Sequence, residues 1–371
     1  MPKQLSFFLP NLAGGGAERM IVNLSNEIAS RGYRVDLVLL ATEGPYLSEV
    51  TNRVEVIDLE APEWPGYAAM GGAPRLRSYI REERPDALLS ALTRTNVVAL
   101  LAHRLSGVST RLVVSERNHL SSVTEHYDDR RMRILPWLVR RTYPWADAIV
   151  PISYGVARDL SSLGHIPLSE MEVIHNPAYS EEIPLKADEP LDHPWFRSPE
   201  PVILGVGSLT KQKDFLTLIR GFRELRSSVD ARLVILGEGE GREKLERVVR
   251  EQNLEEVVDL PGFVDNPFKY MAHADVFVLS SRWEGFGNVV VEALACGTPV
   301  VSTDCPSGPA EILADGEYGR LVPVADPNAI ADAVRETLAE PSDEEALRRR
   351  AREFNVAAIA DEYLAVMLRQ N

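Results

Sequence analysis

The sequence predicts an α/β protein made of two doubly wound units in tandem, facing one another across a cleft. Three observations carry this. Short apolar runs alternate with amphipathic helical stretches along nearly the whole chain. A Pro- and acid-rich stretch without periodicity, about 177–201, interrupts that alternation once, and the pattern then restarts. The length, 371 residues, suits two domains that each bury a core of their own.

The elements follow in order. LSFFL at 5–9 reads as a buried strand, with Gly14, Gly15 and Gly16 after it. AERMIVNLSNEIASRG then places Met20, Ile21, Leu24 and Ile28 on one helical face, and Gly32 marks the stop. VDLVLL at 35–40, ALLSAL at 87–92, RLVVS at 111–115 and DAIVPI at 147–152 read as further strands. Beyond the interruption come VILGV at 202–206, a helix near 214–226, RLVILG at 232–237 and a helix near 241–252, followed by the strands VVDL, DVFVL and TPVVS. Continuously apolar strands separated by helices indicate parallel sheets covered on both faces, hence two Rossmann-like domains. The expected boundaries are 1–180, a linker at 181–200, a second domain at 201–352, and a helix at 353–371 returning to the first domain. Ligands of such sheets bind beyond the carboxyl ends of the strands.

Composition narrows the function. Against 40 Lys+Arg stand 55 Asp+Glu, a formal charge of −15, which argues against broad nucleic-acid binding because that binding depends on neutralising phosphates. Cys296 and Cys305 are too few for a disulfide framework or a Cys-rich metal site. No apolar run approaches the roughly 18 residues of a membrane span, and the apolar stretch before Pro10 falls short of the roughly 7–15 residues of a signal peptide. A cytoplasmic protein is expected. The P-loop, HExxH and GxSxG patterns are absent. A dinucleotide fingerprint at Gly14–Gly16 fails, because Arg19 stands where its third glycine belongs and Leu40 is followed by Ala41 and Thr42 rather than an acid.

The strongest local signal is EGFGNVVVE at 284–292. Its glycines, Gly285 and Gly287, let backbone approach a ligand closely. Asn288 opens a helix, so amides near 287–289 and the helix dipole suit a diphosphate. Glu284 and Glu292 flank that nest; carboxylates are poor phosphate ligands but accept well from sugar hydroxyls.

These residues resemble the signature of retaining glycosyltransferases of the GT4 type (group 1), with the GT-B fold. The likeness runs over nearly the whole chain: PNLAGGGAERMIVNLS, VIHNPAY, GSLTKQKDFLTLIRGF, RLVILGEGEGREKLE, LPGFVDN, and TPVVSTDCPSGPAEIL with GRLVP stand in the family's order. The resemblance implies roles. Glu292 would hold the ribose hydroxyls of a nucleotide diphosphate sugar, and Glu284 those of the donor sugar. Phe286, Gly287, Asn288 and Val289 would offer backbone amides. Lys213 would neutralise the donor phosphates, and Phe263 and Val264 would meet the base. Gly15 and Gly16 would approach the donor phosphate and acceptor from the first domain. Arg117, Asn118 and His119, on the loop SERNHL, are candidates for donor sugar or acceptor, His119 in a catalytic place. One position departs from the family: Ser208 stands where a phosphate-binding arginine is usual, with Lys211, Arg282 or a divalent ion as the open substitutes. The implied reaction is retaining transfer, from a UDP-sugar rather than a GDP-sugar, to a lipid-linked or polysaccharide hydroxyl in cell-envelope glycan synthesis. It needs no obligatory cofactor or metal. A sugar-nucleotide epimerase and a non-catalytic sugar-nucleotide-binding subunit are the alternatives.

Finally, RRMRILPWLVRRTYPW at 130–145 carries Arg130, Arg131, Arg133, Arg140 and Arg141 and no acid, interleaved with Trp137 and other apolar residues. Such a segment suits an anionic membrane surface, broken by Pro136 and Pro144; the competing reading is a core helix whose arginines pair with Glu125, Asp128 and Asp129.

Overall fold

The structure is a computed structural model; it describes residues 2–13, 15–61, 71–126 and 134–369. The chain forms two compact units, Met1–Pro177 with Val356–Asn371, and Ala178–Asn355.

The first unit runs β1 (Gln4–Leu9), α1 (Gly16–Ser30), β2 (Arg34–Leu39), β3 (Val54–Asp58), α2 (Ala73–Glu83), β4 (Ala87–Ala91), α3 (Thr93–Ser106), β5 (Arg111–Glu116), α4 (Leu120–His126), α5 (Leu135–Thr142), β6 (Ala148–Pro151) and α6 (Tyr154–Gly164). Its strands form one parallel sheet in the order β3-β2-β1-β4-β5-β6. Phe7 and Phe8 are both fully buried although they point to opposite faces, which is why LSFFL is apolar without alternation. The chain's last helix, Val356–Met367, covers one face: Ile359, Tyr363, Val366 and Met367 join Phe7, Leu9, Ile21 and Leu24 in one core. Polar contacts fix its register, with Arg31 reaching Asp361 (2.5 Å) and the carbonyl of Ala357 (2.8 Å).

The second unit runs α7 (Glu182–Ala187), β7 (Val202–Val206), α8 (Phe215–Leu225), β8 (Arg232–Leu236), α9 (Arg242–Glu251), β9 (Val258–Gly262), α10 (Phe268–His273), β10 (Val276–Leu279), α11 (Asn288–Cys296), β11 (Val300–Thr303), α12 (Pro309–Ile312), β12 (Arg320–Val322), α13 (Pro327–Ala339) and α14 (Glu344–Arg352). Its parallel sheet reads β12-β11-β10-β7-β8-β9, the first unit's order met from the opposite edge. In each sheet the strand order reverses between the first and fourth strands of the unit, β1 and β4 or β7 and β10, and a crevice opens there at the strands' carboxyl ends.

One expectation needs correction. Residues 181–200 are not a free linker but part of the second unit. Ile183, Ala187 and Leu191 recur every fourth position and are buried, and α7 packs on α10 and α11. Asn266 donates to the carbonyl of Lys186 (2.8 Å), and His193 Nε2 meets Asp259 at 3.0 Å. The prolines and acids occupy the outer face and mask this apolar spacing in the sequence.

Candidate active site

In the second unit, the loops after β7 and β10 meet at the switch point. Lys213 comes from the first and Glu284 from the second, and Lys213 Nζ lies 2.6 Å from Glu284 Oε1. Both side chains are mostly withdrawn from solvent, with 17% and 8% of their surface exposed. Ser281 Oγ donates to the same carboxylate oxygen (2.6 Å), while Ser307 Oγ donates to the backbone carbonyl of Glu284. The lysine's stem lies over Gly207, where a Cβ would stand 3.2 Å from Cε. Ser280 Oγ holds the Lys213 carbonyl (2.8 Å), and Gln212 Nε2 holds that of Trp283 (2.9 Å), so the two loops are laced together.

Gly287 caps α11 at φ 98°, and Glu284 lies against it, its Cγ 3.9 Å from the place a Cβ would take. Asn288 and Val289 form the first turn, and Glu292 sits one turn further in, half-buried. Burial together with the Glu292 charge pushes the Cys296 thiol up to about 12. The Phe286 ring is core, packed edge-on against Phe354 at 5.5 Å, so only the backbone of this residue is placed to serve a ligand. Gly308 presses on the same loop from behind: its φ is +90°, and a Cβ there would stand 1.9 Å from the Phe286 carbonyl oxygen.

Ser208 is exposed beside Gly207, and Lys211 is exposed beyond it. Arg282, the other substitute for the missing arginine, is already engaged. Its Nε donates to buried Asp214 (2.8 Å), which also accepts from Thr217 (2.8 Å). Phe263, after β9, is 75% exposed, an unusual state for a large aromatic, and Val264 is half-buried.

In the first unit, Gly15 precedes α1 and Gly16 opens it, while Gly14 lies outside the described residues. The loop after β5 is held by a group that sequence reasoning missed. Glu116 is fully buried, and its carboxylate accepts from Thr93 Oγ1 (2.9 Å), Tyr143 OH (2.6 Å) and the amides of Arg117 (3.0 Å) and Asn118 (3.3 Å). Burial pushes its carboxyl above the usual range, against these donors. Arg117 is buried too, which pulls its guanidinium below its ordinary value; it donates to Asn176 Oδ1 (2.6 Å) and Ser115 Oγ (3.3 Å). Asn118 is half-buried. His119 turns toward its own helix, with Nδ1 at 2.9 Å from Ser122 Oγ and Nε2 at 3.8 Å from Asp159; burial lowers its pKa.

Of the basic aromatic segment, Arg130, Arg131, Arg133 and the acids Asp128 and Asp129 lie outside the described residues. Pro136 stands in the first turn of α5, where a helix tolerates it. Leu135, Val139 and Tyr143 are buried, whereas Ile134 (53%), Trp137 (56%), Arg140 and Arg141 face solvent. The Arg141 guanidinium lies 5.9 Å from the Trp137 ring centre. Among the described residues no helix is long and apolar enough to cross a membrane.

Two Rossmann-like units carrying these loops define a GT-B glycosyltransferase, and comparison with known proteins agrees. The family description "Glycosyl transferases group 1" matches residues 192–354, and "Glycosyltransferase Family 4" matches residues 14–181. The chain is 33% identical to the N-acetylgalactosamine-N,N'-diacetylbacillosaminyl-diphospho-undecaprenol 4-alpha-N-acetylgalactosaminyltransferase of Campylobacter jejuni, over 99% of this chain and 100% of that one. It is 28% identical to the lipopolysaccharide core biosynthesis glycosyltransferase LpsE of Rhizobium meliloti, over 95% and 96%. The Anabaena protein HepE, solved in complex with UDP-glucose, superposes with a TM-score of 0.77 at 20% identity, covering 97% of each chain. The protein belongs to glycosyltransferase family 4, group 1, and is a glycosyltransferase.

The packing behind the EGFGN loop yields a prediction. Gly308→Ala places a Cβ against backbone in a left-handed conformation, and should lower stability by at least about 1–3 kcal/mol in urea unfolding. An unchanged midpoint would mean that Gly308 does not pin the loop.

Proposed function

We propose that the protein moves a sugar, with retention of anomeric configuration, from a UDP-sugar to a hydroxyl of a lipid-linked glycan at the inner face of the membrane. One observation carries the donor side of this reading: a half-buried lysine and a buried glutamate paired at the switch point, beside the start of a helix that bears a second glutamate. A buried ion pair is a poor stabilising device. Here it suits a ligand that carries both opposite partners. A diphosphate takes the Lys213 ammonium, sugar hydroxyls donate to Glu284, and no charge is left bare at either stage. On this reading Glu292, one turn inside α11, accepts from the ribose hydroxyls, and the first amides of α11 donate to a phosphate oxygen.

The chemistry follows from these placements. The bond from the anomeric carbon to the phosphate oxygen breaks as the acceptor oxygen bonds to the same face. The departing phosphate oxygen takes the acceptor's proton. Lys213 and the helix amides offset the charge that develops on the diphosphate, where preorganised donors are most effective. UDP is favoured by the likeness to HepE, solved with UDP-glucose, and a lipid diphosphate acceptor by the printed substrate of the Campylobacter relative.

The membrane side rests on α5. Its buried face anchors it through Leu135 and Val139, while Trp137, Arg140 and Arg141 are left outside. Leu105, 65% exposed, lies in the last turn of α3, which packs on α5, and the neighbouring Arg104 stacks 4.6 Å from the centre of Trp145. Aromatic and basic groups together suit a lipid headgroup layer, where each arginine contributes about 1 kcal/mol.

Two tests separate these parts. Lys213→Met should lower kcat by about 10²–10³ while Glu292→Ala raises the donor KM by about tenfold or more, read with UDP-sugars and an undecaprenyl-diphosphate-linked acceptor. A normal donor KM in Glu292→Ala removes the ribose role, and a normal kcat in Lys213→Met removes the phosphate role. In liposome flotation the protein should rise with anionic but not neutral vesicles, less so in high salt and in the double variant Arg140→Glu, Arg141→Glu. Equal recovery in the soluble fraction with both vesicle types would point to a soluble acceptor.

A further inference from the structure

We infer that Glu116 is a positioning residue, whose buried carboxylate sets the backbone of Arg117 and Asn118 so that this loop can receive the acceptor. The acceptor's part rests on the transferase reading above; the clamp is geometry alone.

Glu116 ends β5 at the carboxyl edge of the first sheet and has no exposed surface. Three separate pieces of chain converge on it. Thr93, the first residue of α3, follows Leu92, whose φ of +77° is a strained value for a branched side chain. Tyr143 comes directly after α5, the helix that carries Trp137, Arg140 and Arg141. The third piece is the loop itself, through two consecutive amides. Asn96 completes the set, donating to the Ser115 carbonyl (2.9 Å) and to Tyr143 OH (3.0 Å).

Packing alone does not call for a carboxylate here. An apolar side chain of similar volume fills a core at least as well as a buried charge. Nor is Glu116 a partner in any ion pair among the described residues within hydrogen-bonding distance; every group aimed at it is a hydroxyl or an amide. What a carboxylate supplies is two oxygens that together gather four donors from three elements. The chain therefore leaves β5 in one fixed direction, with Arg117 drawn onto Asn176 and Ser115, and Asn118 and His119 following at the strand's carboxyl end. Through Tyr143 the same carboxylate ties that loop to the helix proposed to meet the lipid surface.

The test uses the full chain with UDP-N-acetylhexosamine and, as acceptor probe, an undecaprenyl-diphosphate-linked N-acetylhexosamine. Glu116→Leu should raise the acceptor KM by about tenfold and speed amide hydrogen exchange in 115–119 by about tenfold. UDP release from the donor without acceptor should stay within about twofold, because the second unit is untouched. Glu116→Gln, whose carbonyl still accepts from the two amides, should recover most of the acceptor KM. If Glu116→Leu fails to fold, Tyr143→Phe, which keeps the ring and frees one carboxylate oxygen, decides by the same readouts with a smaller effect. Unchanged exchange and acceptor KM would overturn the assignment, as would a parallel fall in acceptor-free UDP release. Should the unaltered protein turn over no sugar nucleotide, the transferase donor reading fails, while hydrogen exchange still decides whether Glu116 holds the loop.

Discussion

A lysine and a glutamate held 2.6 Å apart under little solvent set the terms for the second unit. Two opposite charges removed from water are tolerated only when geometry is good and the remaining polar atoms are satisfied. The surrounding residues meet that demand. Ser281 takes part of the carboxylate, Ser307 fixes its backbone, Ser280 fixes that of the lysine, and Gly207 makes room for the lysine's stem. Gly308 then holds the following loop, and with it the start of α11, against the same carboxylate. The sheet order explains why the pair forms here. Lys213 and Glu284 leave neighbouring strands, β7 and β10, from which the chain turns to opposite edges of the sheet.

The first unit uses the same strand order but solves its switch-point region differently. At the end of β5, hydroxyls, amides and Asn176 surround Glu116 and Arg117, and neither has a salt-bridge partner among the described residues. One unit thus holds a paired cation and carboxylate, the other a loop tied down by hydrogen bonds to one carboxylate. That division matches a reaction in which a charged leaving group is on one substrate and a neutral hydroxyl on the other.

Much of the fold was legible because buried parallel strands are mostly apolar on both faces, as in LSFFL and VILGV, and because α1 shows its face in Met20, Ile21, Leu24 and Ile28. Two of the four sheet-edge strands were not, although the edges β6 and β9 were. β3, VEVID, and β12, RLV, are short and mix charge with apolar residues, since one side of each meets solvent or side chains rather than another strand. α7 hid among prolines and acids. At the site, the EGFGNVVVE spacing is local and could be read, and Lys213 and Glu284 were each singled out, but their pairing spans 71 residues. Glu116 was overlooked for the same reason: its partners Thr93 and Tyr143 lie 23 and 27 positions away, and one acid ending an apolar strand makes no pattern. The bond from Arg282 Nε to Asp214, 68 positions distant, was likewise beyond the reach of local spacing. In the basic aromatic segment, Leu135, Val139 and Tyr143 recur every fourth residue and belong to the core, a spacing masked by the arginines around them.

The central claim is that the Lys213–Glu284 pair is opened by the donor, each partner passing to an opposite part of one molecule. A crystal structure with an intact UDP-N-acetylhexosamine tests it most directly. The account predicts Lys213 Nζ on a diphosphate oxygen, Glu284 on sugar hydroxyls and Glu292 on the ribose, with the Lys213–Glu284 contact lengthened beyond hydrogen-bonding distance. A bound sugar nucleotide whose diphosphate lies elsewhere, with the ion pair still closed, would contradict it.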